Sequence, residues 1–145
     1  RPSNECAEGD WTLPASFQTF QVVCTPFQSN DIPISISGVG TPTIESSLNI
    51  TQNGIITDIN VARLKGNHDA LPHIQASLVS PAGTEVVLFS AICGNVAVFD
   101  MALDDEAPNV IACPPINLLK YKPQNPLSAF DGENTFGNWK MKIKH

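Results

Sequence analysis

The final stretch of the chain alternates without a fault: Trp139, Met141 and Ile143 fall on one side of an extended backbone and Lys140, Lys142 and Lys144 on the other. Period-two alternation predicts a strand with one buried and one wet face. The segment before it, Leu127 to Asn134, is rich in Gly, Asn and Asp and reads as a long turn. The same period recurs upstream, in Ile32, Ile34 and Ile36 against Pro33, Ser35 and Ser37, and in Val96–Leu103. Ile44–Ile50 and Ile55–Leu64 flank Asn53-Gly54, which predicts a hairpin. Ile74–Val79 and Glu85–Phe89 flank Ser80-Pro81-Ala82-Gly83-Thr84, a second turn-linked pair. Pro108 to Pro126 reads as irregular, with a short strand at Ile116–Leu119. No window sustains the three-and-four spacing of a helix, so eight or nine short strands point to an all-β sandwich or jelly roll. Residues 1–30 alternate poorly, with Gln18–Val23 their best strand, and hold two cysteines, Trp11 and three phenylalanines.

Length and composition narrow this picture. One domain fits 145 residues, with prolines and glycines spread along the chain rather than gathered in a linker. No run approaches the eighteen or so apolar residues that a membrane span needs. A net charge of −6 argues against nucleic acid as a partner. Cys6, Cys24, Cys93 and Cys113 contain no Cys-x-x-Cys pair, so zinc is disfavoured and two disulfides are expected. Three connectivities are open. The sequential one, Cys6 with Cys24 and Cys93 with Cys113, is favoured; each bridge would close a loop of about twenty residues and contribute roughly 3 kcal/mol. Disulfides imply an oxidising, secreted setting, and the start at Arg1 suits a processed or excised chain. Asn49-Ile50-Thr51 is a glycosylation sequon.

Several segments, in order, resemble the P domain (P/Homo B domain) of subtilisin-like proprotein convertases, in its bacterial secreted branch. They are Ile55–Arg63 with His68, Leu78-Val79-Ser80-Pro81-Ala82-Gly83-Thr84, Val87-Leu88-Phe89, Cys93-Gly94, Leu103-Asp104-Asp105-Glu106-Ala107 and Cys113-Pro114-Pro115. The closing block matches too: Tyr121-Lys122-Pro123, Leu127 to Glu133 and Gly137-Asn138-Trp139. The resemblance covers residues 31–145 and implies a jelly-roll β-sandwich that packs against a protease without being the catalyst. One departure is plain. His73 stands where the family has an acidic residue before its strand, the nearest carboxylate being Asp69. Residues 1–30 are left as an N-terminal extension, stapled to the sandwich or swapped between copies.

The chemistry that remains is sparse. There is no Gly-x-Ser-x-Gly elbow, no His-Glu-x-x-His and no phosphate loop, so the chain is not expected to be an enzyme. Asp100, Asp104, Asp105 and Glu106 stand where a strand becomes a loop and are the candidate calcium ligands, with Asp58, Asp69 or Asp131 reaching in. The bland alternative is that they cap turns. His68 and His73 share one loop and, without further ligands, read as surface residues. Trp139 reads as core, whereas Trp11 is a freer candidate for a contact or sugar-stacking surface. The expected function is a secreted structural module, placed at a bacterial cell surface, that acts through contacts with copies of itself. The alternatives are an accessory domain attached to a subtilisin-like protease and a carbohydrate-binding module.

Overall fold

A computed structural model describes residues 24–37 and 39–145. These residues form seven strands: β1 (Thr43–Ile50), β2 (Val61–Asn67), β3 (Gln75–Val79), β4 (Glu85–Ser90), β5 (Val98–Leu103), β6 (Leu119–Tyr121) and β7 (Gly137–Lys144). They make a four-stranded sheet, ordered β1-β7-β3-β4, and a three-stranded sheet, ordered β2-β5-β6. The only helical turns among the described residues are short 3-10 segments, Leu71–His73 and Leu127–Phe130. The all-β sandwich is therefore as expected, with seven strands among the described residues where eight or nine were read for the whole chain, and among these residues no helix is long and apolar enough to cross a membrane. The predicted strand at Gln18–Val23 and one of the extension's two cysteines, Cys6, lie outside the described residues.

The core lies between the sheets. β7 turns Trp139 and Ile143 inward, β4 contributes Val86, Leu88 and Phe89, and β5 contributes Phe99, Met101 and Leu103. Phe89 and Phe99 meet edge to face across the layers at 5.5 Å, the aromatic geometry that the ring quadrupole favours. On the outer face of β7, Lys140 pairs with Glu45 of β1 at 2.8 Å and Lys142 with Glu85 of β4 at 3.2 Å. The period-two pattern of the closing strand thus sorts core from ion pairs, as its alternation predicts.

The short strand read at Ile116–Leu119 begins only at Leu119, after a turn through Asn117 and Leu118, and two expectations fail outright. Asn53-Gly54 does not close a hairpin, because β1 pairs with β7 and β2 with β5, in different sheets. The chain leaving β1 instead crosses to the second layer and spends its hydrogen bonds on the closing loop: Ile56 N–H donates to Glu133 O (2.9 Å) and Thr135 N–H to Gly54 O (2.8 Å). Residues 55–60 accordingly form only an isolated bridge, Ile55 to Asn134, rather than the first half of a strand. The second failure is Ile32–Ile36. Its alternation points Ile34 and Ile36 partly inward, but no ladder forms, since Pro33 has no N–H to give. The Ser80–Thr84 turn, by contrast, links β3 and β4 as read, with Ser80 N–H donating to Thr84 O and Gly83 at φ +93°.

Both outer edges of the four-stranded sheet are occupied in part. Against β1, the Asp31 carboxylate accepts from Ser47 N–H at 2.7 Å and from the Ser46 hydroxyl at 2.5 Å. Against β4, the N–H groups of Gln124 and Asn125 donate to Leu88 O and Val87 O. Unpaired strand edges are templates for pairing with other chains, so such coverage limits it.

Candidate functional site

The closing loop, residues 127–136, has two unlike sides. Its first turn is the 3-10 segment that buries Leu127 and Phe130, and Phe130 packs edge to face on Trp139 at 5.2 Å. Asp105 holds that turn from outside: its two carboxylate oxygens accept from Leu127 N–H and Ser128 N–H, each at 2.8 Å.

On one side the loop is knotted to the β3–β4 turn. Thr84 donates its hydroxyl to Glu133, whose other carboxylate oxygen is buried without a partner. Trp139 Nε1–H donates to Thr135 O at 2.9 Å. Gly137, at φ +125°, lies so close to Pro81 that a Cβ there would meet the proline Cβ at 2.7 Å. The Ser-Pro-x-Gly-Thr and Gly-Asn-Trp segments, far apart in sequence, are therefore one packed unit.

On the other side lies an open acidic cleft. Asp58, Asp104, Asp105, Glu106 and Asp131 line it, with Thr57, Asn60 and Ser128 between them. Asp104 is the most enclosed, 7% exposed. It accepts from Lys120 Nζ and from Glu106 N–H, both at 2.8 Å. The Lys120 ammonium, with the Glu106 N–H, holds the Asp104 carboxyl below the usual carboxylate range. The hydrogen bond that the Glu106 carboxyl shares with Asp104 pushes Glu106 the opposite way, upward, and the charge of Asp58 adds to that. The cleft is thus a set of crowded carboxylates relieved by one cation, an arrangement suited to a cation or a basic side chain.

Of the four residues read as calcium ligands, the fold brings three to this cleft. Asp100 does not line it; it forms a two-pronged pair with Arg63, Nε to Oδ1 at 2.8 Å and Nη2 to Oδ2 at 2.7 Å. Asp105 spends both oxygens on backbone amides, which is the turn-capping role. Asp58 and Asp131 do reach in, and Asp69 does not line the cleft. Among the described residues no three His, Cys, Asp or Glu side chains already converge as a metal site. Lys120 was missed: sixteen residues separate it from Asp104, and only the pairing of β6 beside β5 brings them together.

The remaining predicted residues are placed simply. Cys93 and Cys113 form a disulfide, closing a separation of 20 residues. Cys24 is exposed and has no disulfide partner among the described residues, Cys6 lying outside them. Asn49 is exposed on β1, in register with Asn138. Trp139 is core at 4% exposure, whereas Trp11 lies outside the described residues.

No protein-family model and no curated protein matches this chain. Among solved structures it is similar in fold to the serine protease of Aeromonas sobria, with a TM-score of 0.51 and 20% identity over 82% of this chain and 19% of that one. The same protease in complex with its ORF2 chaperone gives a TM-score of 0.50 and 22% identity, over the same shares. The chain therefore spans about a fifth of the length of the solved chains it resembles.

Proposed function

We propose that this chain is a non-catalytic accessory β-sandwich of P-domain type, secreted as part of, or alongside, a serine protease and acting through protein contacts. The observation that carries the reading is the fold likeness itself: most of this chain corresponds to a minor share of a much longer protease. A domain of that kind contributes a rigid surface, and the Thr84–Glu133 and Pro81–Gly137 contacts make the closing loop rigid. The disulfide supports an oxidising compartment. The acidic cleft is the surface proposed to meet the partner, through a basic side chain or a bound calcium ion.

Assembly from copies of this chain is the weaker reading. Strand addition needs open edges, and the coverage of β1 by Asp31 and of β4 by Gln124 and Asn125 works against it. Light scattering on the purified chain separates the two: a monomer at high concentration is expected, and concentration-dependent polymers would favour assembly. Reading the open reading frame around the chain gives the second test, with a protease domain expected in it or beside it.

A further inference from the structure

The chain has three histidines, and the ring of the third, His145, lies near the rings of both others. His68 follows β2, His73 ends the first 3-10 segment, and His145 follows β7. The rings of His68 and His145 lie 4.9 Å apart between centroids, and those of His73 and His145 6.0 Å apart. Only the first two histidines are neighbours in sequence; β7 brings the third to them.

The hydrogen bonds of two of these rings have a particular polarity. His145 Nδ1 lies 2.7 Å from Gly40 O, a carbonyl that can only accept, so Nδ1 carries a proton and, in the neutral ring, Nε2 holds the lone pair. His68 Nδ1 lies 3.1 Å from Ala70 O and 3.3 Å from Ala70 N. The tautomer that donates Nδ1–H to this carbonyl leaves Nε2 with its lone pair, whereas the other lets Nδ1 accept from the Ala70 N–H. His68 is 9% exposed, and its Nε2 is buried with no hydrogen-bond partner. A buried imidazole nitrogen left unpaired is costly and calls for a partner. An imidazole that donates Nδ1–H to a backbone carbonyl and leaves Nε2 free is oriented and electronically prepared as a metal ligand.

Spacing agrees with that use. With metal–nitrogen bonds of about 2.0–2.1 Å in tetrahedral geometry, two imidazole centroids on one ion stand about 5 Å apart. His68 and His145 are at that separation already. His73 is exposed, its ring 6.0 Å from that of His145, so the proposed site requires its side chain to turn inward. We propose that His68, His145 and His73 form a site for a divalent transition ion of the zinc class, with water completing the coordination. Imidazole donors select such ions over calcium or magnesium. The ion would tie the end of β7 to the segment between β2 and β3.

The test uses the 145-residue chain without a polyhistidine tag, stripped with chelator and titrated with ZnCl2 by calorimetry and thermal melting at pH 7.5. One equivalent bound and a raised melting temperature are expected, with no such response to CaCl2 or MgCl2. His145→Ala and His73→Ala, both at accessible positions, should each weaken zinc at least tenfold while melting normally without metal. No saturable zinc binding by the parent chain, or binding undiminished in His145→Ala, would overturn the proposal.

Discussion

The two sides of the closing loop are built from similar polar residues and have opposite characters. Towards the β3–β4 turn, Glu133, Gly137 and Trp139 are packed against Thr84, Pro81 and Phe130, and the polar atoms are drawn into the structure. Towards the cleft, Asp104, Glu106 and Asp131 face an open space, and the carboxylates crowd one another. The first arrangement uses polar groups to fix the loop. The second keeps charge at a surface where it can meet something else.

The contrast predicts graded losses. Phe130→Ala, which removes a fully buried ring, should cost about 3–5 kcal/mol in denaturant unfolding. Opening the disulfide with Cys93→Ser and Cys113→Ser together should cost about 3 kcal/mol, read the same way. Gly137→Ala should lose about 1–3 kcal/mol through the positive φ, and more if Pro81 cannot yield; a neutral result would mean that the packed side is looser than drawn. Thr84→Val leaves the Glu133 carboxylate with neither oxygen paired and should cost about 1–3 kcal/mol.

Changes on the cleft side should be small in stability and visible mainly in titration. Because the Asp104 carboxyl lies below its ordinary 3.8, its stabilising contribution is present above that value and is lost as the pH falls through its folded value. Glu106, held above its ordinary 4.5, works in the opposite sense: its contribution is full below that value and fades as the pH rises through its raised one. Lys120→Met should therefore move the Asp104 titration upward in carboxyl NMR and lower the melting temperature slightly at neutral pH, where that contribution is fully present, with the difference closing as the pH falls through the Asp104 titration. Calcium at millimolar levels should give the smallest rise in melting temperature, since Asp104 and Asp105 are already bonded within the protein; indifference to both calcium and chelator would remove the ion and leave a basic partner side chain.

Much of this was legible in one dimension. The alternation of Trp139, Met141 and Ile143 with three lysines specified a half-buried strand, because a side-chain period of two admits only one face to the core. Ser80–Thr84 specified its own turn for equally local reasons. Asn53-Gly54 carried the same kind of signal and misled, since turn chemistry permits a hairpin while the partner strand decides whether one forms. That decision went to β7, which pairs with β1 over its whole length. The cleft divided likewise: Asp104, Asp105 and Glu106 were visible as a cluster, whereas the loss of Asp100 to Arg63 and the arrival of Lys120 depended on strands side by side in space.

By itself, then, the sequence determined strand character, the Ser80–Thr84 turn and the all-β class, because these follow from the preferences of residues adjacent in the chain. The tertiary structure alone decided which strands pair, which carboxylates share a cleft, and that His145 lies against His68. Those facts depend on long-range closure of two sheets, whose free energy comes from the buried face as a whole rather than from any local run of residues.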